Sequence, residues 1–147
     1  MSFVAELPGG RSAHGAFSQR ADGNFDIAAN AGELHTARQR LLSGPWTSLA
    51  QVHGAQVRHV AVAEAHLGAS GDGLVTATPG IVLGVQTADC VPVLFASVDG
   101  EAVVGAAHAG WRGLYDGIVE ATVRQLRELG AGTVRAWIGP CIGASAY

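Results

Sequence analysis

Apolar positions change period along this chain, and the changes mark its elements. Leu34, Ala37, Leu41 and Leu42 recur at helical spacing, predicting a short amphipathic helix over 32–42, with Asn30 as its cap and Gly44-Pro45 as its stop. Upstream, Phe17-Ser18 leads into a polar turn at 21–24. Short β-rich runs bounded by glycine or polar residues follow at 49–52, 57–62 and 81–85. The runs 91–97 and 102–107 hold almost no polar residue and flank the Asp99-Gly100 turn, which predicts a hairpin buried on both faces. Ile118, Val119, Thr122, Val123, Leu126 and Leu129 then restore helical spacing over about 114–129, ending at Gly130, and 134–138 reads as one more strand. Strands outnumber helices, and the longer helix needs a sheet to cover. The expected class is α/β or α+β, a mixed β-sheet core covered by helices, in one domain over 1–147 with no internal repeat or linker.

Composition narrows the class. A chain of 147 residues with 48% hydrophobic and 14% charged positions can bury a core and does not read as disordered. A net charge of −3 gives no reason to expect nucleic-acid binding. All nine basic residues are arginine, so a lysine Schiff base is excluded. No apolar run approaches the roughly 18 residues of a membrane span, and the first fifteen residues are too polar for a signal peptide. Two cysteines are too few for a disulfide framework, so the expected setting is cytoplasmic and reduced, without membrane contact.

Three segments place reactive side chains at the ends of apolar strands: Gln51-Val52-His53-Gly54, Thr87-Ala88-Asp89-Cys90, and His108-Ala109-Gly110-Trp111-Arg112-Gly113. His53, Cys90 and His108 are a chemically sensible zinc set. Three protein ligands leave a fourth position for water or substrate, and a zinc-bound water ionises near pH about 7. Other readings stand beside this one, with Cys90 as a small core residue and His53 as a turn residue. Backbone N–H groups around Gly110 would lie near a helix start and suit an anion, with Arg112 adding a bidentate contact. The same segment also reads as a glycine-rich turn with Trp111 packed in the core. Arg20 is a weaker anion-binding candidate. Asp89, beside Cys90, suits a general base or the partner of a ligand histidine, or a strand-capping carboxylate. Cys141, in a tight turn after a strand, reads as a packed thiol or as a residue lining the site, and His14, His35, His59 and His66 read as surface residues.

The strings FSQR, QVHG, DGLV, TADCVPVLF, AAHAGWRG and WIGPCIG follow one another in this order. Together they closely resemble the bacterial family named multicopper polyphenol oxidoreductase or laccase domain, whose members are understood as zinc-dependent purine nucleoside phosphorylases. The resemblance implies a layered sandwich fold and Zn2+ held by His53, Cys90 and His108; with Asp89 added from its place beside Cys90, the expected reacting centre is Cys90, His108 and Asp89. It implies phosphorolysis of adenosine, inosine, guanosine and methylthioadenosine, with adenosine deamination beside it. Arg20, Arg112 and Gly110 are the expected phosphate and substrate contacts. The stretch between FSQR and the first helix is shorter than the family pattern, with Asp22-Gly23 where the turn usually has its second glycine, and family members continue past Tyr147, so the chain reads as a C-terminally shortened member. The absence of His-x-His pairs argues against multicopper chemistry. Two other classes remain: a metal-free hydrolase with Cys90 as nucleophile and His108 as base, linked to peptidoglycan precursor editing, and a non-catalytic binding protein.

Overall fold

The computed structural model describes residues 1–146 except Ile27 and Ala29. In chain order the elements are β1 (Ser2–Leu7), β2 (Arg11–Ala16), α1 (Ala31–Leu41), β3 (Trp46–Ser48), β4 (Val57–His59), β5 (Gly73–Thr76), β6 (Val82–Gly84), β7 (Val91–Ser97), β8 (Val104–Ala109), α2 (Trp111–Tyr115), α3 (Ile118–Glu128) and β9 (Val134–Ile138). Five strands form the central sheet in the order β4-β5-β8-β7-β9. Only β4 and β5 run parallel; the other pairs are antiparallel. The sheet is therefore mixed, as its sequence suggests. Two smaller sheets accompany it, the β1–β2 hairpin and the parallel pair β3–β6.

The strands at 91–97 and after the Asp99-Gly100 turn pair as the expected hairpin, with Ala96 opposite Val104. Small residues in β8 bring α3 close. A side chain at Gly105 would meet Leu126 of α3 at 3.4 Å and the Leu74 carbonyl at 3.2 Å. Ile118 and Leu126 are fully buried against Val75, Val93, Phe95, Ala107 and Ala109. Burying a large aliphatic side chain in this way contributes about 1.5–3 kcal/mol. On a strand, successive side chains point to opposite faces, so His108, between Ala107 and Ala109, faces away from α3. The face away from α3 carries a second apolar cluster of Leu49, Val60 and Leu74, against which Ile81 and Leu83 pack. Phe3 of β1 stacks on Trp137 of β9 with ring centroids 4.5 Å apart.

Several elements differ from the sequence pattern. The Asn30 cap holds as expected, its side chain accepting from the N–H groups of Gly32 at 2.9 Å and Glu33 at 3.4 Å. The helix expected over 114–129 is two helices. Its break is Gly117, whose left-handed φ of 86° no helical residue can share. The strand expected at 49–52 lies earlier, at Trp46–Ser48, and the chain beyond it is the loop that carries His53. The β1–β2 hairpin was not expected. Its signal was Pro8-Gly9-Gly10, where both glycines have positive φ. Strand β5, between Gly73 and Thr76, is equally absent from the sequence reading. No helix among the described residues is long and apolar enough to cross a membrane.

The kink at Gly117 gives a direct test of this helix pair. Gly117→Ala is expected to lower unfolding stability by about 1–2 kcal/mol, because an L-residue is strained at that φ. Unchanged urea denaturation would show that α2 and α3 do not need the left-handed link.

Candidate metal centre

Each of the three candidate ligands sits on a different segment. His108 is the penultimate residue of β8, and Cys90 immediately precedes β7. The antiparallel register pairs Val91 with Ala109 and Pro92 with His108, which brings the start of β7 beside the end of β8. His53 lies on the loop between β3 and β4 with φ 60°, a left-handed conformation that is uncommon for any residue except glycine. The ligand atoms of His53, Cys90 and His108 all lie within 4.8 Å of one another. The His53 and His108 rings meet edge-to-face with centroids 4.7 Å apart.

Donor chemistry and space both fit one metal ion. A zinc at about 2.0–2.3 Å from each donor separates tetrahedral donors by about 3.3–3.8 Å, so small side-chain rotations close the set. Gly110 leaves the room. A Cβ there would stand 2.9 Å from His53 Cδ2, 3.1 Å from Cys90 Sγ and 3.7 Å from His108 Cε1. Gly110 thus borders the donors through the side chain it lacks. His53 is exposed and Cys90 half-buried, so the triad opens to solvent, while His108 is buried at 3% exposure.

The residue that holds this geometry is Asp72, which the sequence reading did not single out. It has no exposed surface. One carboxylate oxygen meets His108 Nδ1 at 2.8 Å and accepts the His53 N–H at 2.9 Å. The other accepts the N–H groups of Val52 at 3.2 Å and Gly54 at 2.9 Å. The Asp72 carbonyl also accepts the His108 N–H at 2.8 Å, extending the β5–β8 ladder by one rung. Burial alone would raise the carboxyl pKa. The His108 bond and the three backbone donors outweigh it and hold the group below the usual carboxylate range. With Nδ1 engaged, His108 keeps Nε2 for a metal, the carboxylate–histidine arrangement common around protein-bound zinc.

Other expected site residues fall differently. Asp89 is exposed, and the carboxylate paired with a ligand histidine is Asp72. The reason is register: Asp72 lies opposite His108 across the β5–β8 pair, whereas Asp89 precedes β7 on its loop. Trp111 is not packed in the core. It is 61% exposed, with the Arg112 guanidinium 5.1 Å from its ring centre. Arg112 is itself exposed on α2, and Arg20 is exposed in a 3-10 turn closed by reciprocal bonds between Gln19 and Asp22. Cys141 is exposed rather than packed. His14, His35, His59 and His66 are exposed, as expected. A cavity of about 860 Å³ lies between the β1–β2 hairpin, the end of α1 and the outer face of β7 and β8; none of the three candidate ligands lines it.

Residues 14–147 match the family described as multi-copper polyphenol oxidoreductase laccase, and the chain belongs to that family. A purine nucleoside phosphorylase of Deinococcus radiodurans is 44% identical over 131 residues, 87% of this chain and 49% of that protein. The purine nucleoside phosphorylase YfiH of Escherichia coli is 43% identical over 99 residues, 67% of this chain and 40% of that protein. The chain therefore spans about half the length, or less, of these relatives. Among crystal structures, a Neisseria meningitidis protein matches with a TM-score of 0.71 and 30% identity, over 99% of this chain and 65% of that one. YlmD from Geobacillus stearothermophilus matches at 0.69 and 31% identity, over 84% and 52%.

Two substitutions separate the roles of support and space. Asp72→Ala strands three backbone donors and the His108 ring, and is expected to lower stability by about 3–5 kcal/mol in chemical denaturation. A loss below about 1 kcal/mol would mean that water serves those groups equally well. Gly110→Ala keeps an ordinary backbone conformation, φ −69° and ψ 162°, but intrudes between the ligands. It should leave unfolding nearly unchanged while weakening zinc binding at least about tenfold by competition with a chromophoric chelator. Undiminished zinc affinity would show that the donors gather elsewhere.

Proposed function

We propose that this chain carries the zinc centre of a purine nucleoside phosphorylase. The observation that carries the reading is the convergence of His53, Cys90 and His108 within 4.8 Å, on a side open to solvent. The relatives' names supply the substrate class. Two histidines and a thiolate suit zinc, and a three-ligand set leaves a coordination position free for chemistry. Bound there, zinc would supply Lewis acidity toward an oxygen of water or substrate.

The chain's own groups divide the remaining work. In phosphorolysis, phosphate attacks the anomeric carbon of the ribose and the purine leaves. Arg112 and Arg20, both exposed, are the cations assigned to phosphate. In adenosine deamination, water adds at the purine 6-position and ammonia leaves. Asp89, exposed beside Cys90, is the general base assigned to take the water's proton. Asp72 touches no reactant in either scheme; it fixes the ring and tautomer of His108. The proposed setting is the cytoplasm, with small-molecule substrates and neither nucleic acid nor membrane as partner.

One observation favours a second reading. The Asp72–His108 pair, with Cys90 nearby, also fits a metal-free cysteine hydrolase. Chelation separates the two. With zinc, adenosine and phosphate are expected to yield free adenine, and adenosine alone inosine. Both activities should disappear on chelation and return with zinc. Hydrolysis that survives chelation would favour the cysteine enzyme, and no turnover by folded, zinc-loaded chain would contradict catalysis by this chain.

A further inference from the structure

Three ligand segments form a triangle, and each side of it needs a physical connection if the donors are to meet without a metal to gather them. Two sides are already accounted for. The β7–β8 register joins the Cys90 and His108 segments, and Asp72 joins the His53 loop to His108. The third side runs between the His53 loop and the Cys90 loop, neither of which is in a strand.

The parallel β3–β6 ladder joins the two chains as far as Ser48 and Gly84, and beyond its last rung one side chain carries the connection toward the ligands. Gln51, two residues before His53, donates from Nε2 to the Gln86 carbonyl at 2.7 Å and accepts the Gln86 N–H on Oε1 at 2.8 Å. The amide thus imitates one further rung where the β3–β6 ladder has ended. A primary amide is the chemistry this needs, because it offers a donor and an acceptor side by side. Gln86 lies four residues before Cys90, between the end of β6 and the start of β7. Its own side chain donates to the Phe25 carbonyl, tying the clasp to the segment that follows Arg20.

We infer that Gln51 is a positioning residue that sets Cys90 against the two histidines through its two-bond clasp on the Gln86 backbone. This inference rests on the metal-centre reading above. Gln51 is only half-buried, and its bonds reach one loop. Its removal should therefore loosen the third ligand rather than unfold the chain. Asp72 differs in this respect, because it is fully buried and anchors three backbone groups as well as a ring.

Cobalt titration of the 147-residue chain tests it, because the sulfur-to-cobalt charge-transfer band reports thiolate ligation separately from affinity. Gln51→Ala is compared with the unaltered chain, and Gln51→Asn serves as a second variant, polar but too short to span both bonds. The unaltered chain should bind one cobalt with a clear thiolate band. Both variants should bind about 10–100-fold more weakly with a reduced band, while unfolding of the chelated proteins stays unchanged. Variants with full affinity and a full thiolate band would overturn the clasp while leaving the metal centre standing. Variants whose chelated forms are destabilised or unfolded would also overturn it, since the residue would then be structural. A missing thiolate band in the unaltered chain would instead overturn the metal centre itself, and the clasp with it.

Discussion

The Asp72 carboxylate holds this structure together where its chemistry lies. A buried charge is tolerated only when it is fully hydrogen-bonded, and Asp72 achieves this with one imidazole and three consecutive backbone N–H groups. Those same bonds explain the loop they satisfy. A run of N–H groups turned toward one anion needs an unusual backbone, and His53 supplies it with its φ of 60°. Strain in the loop and charge in the interior thus offset each other. Side-chain and backbone contacts from Asp72 meet the same strand position, His108, so the loop cannot shift without disturbing the sheet.

The sheet keeps its two faces distinct. Ala107 and Ala109 face α3 in an apolar core, while His108, between them, turns to the other side. Glycine then makes room where β8 gives way to α2. Gly110 borders the three donors, and a Cβ at Gly113 would stand 2.8 Å from the Gly54 carbonyl, so α2 lies directly against the His53 loop. The HAGWRG string therefore works by close approach as much as by any charge. Packing and chemistry are set by neighbouring residues of one segment.

Much of this was legible in the sequence, for identifiable reasons. The β7–β8 hairpin follows from two apolar runs around Asp99-Gly100, and the start of α1 from Asn30, because these depend on local contacts. The break before α3 was missed because helical periodicity spans it and only the backbone of Gly117 records it. The N-terminal hairpin was missed because Val4, apolar yet 57% exposed, turns the alternation of β1 into the unbroken apolar run Phe3-Val4-Ala5. His53, Cys90 and His108 were legible as residue types, and their strings carry the family resemblance, but only the register of separate strands brings them together. Asp72 was hidden because an aspartate before a glycine reads as a turn. Its meaning depends on residues 18 to 36 positions away. Asp89 drew attention for the opposite reason: it adjoins Cys90 in sequence while its side chain lies at the surface.

The central claim is that this preassembled triad holds one zinc ion through His53, Cys90 and His108. X-ray absorption at the zinc edge, on the chain loaded with one equivalent, measures that shell directly. The account predicts one sulfur at about 2.3 Å and two imidazole nitrogens at about 2.0–2.1 Å, with one further light atom completing the tetrahedron. A shell without sulfur, or one with two or more sulfurs, would contradict it.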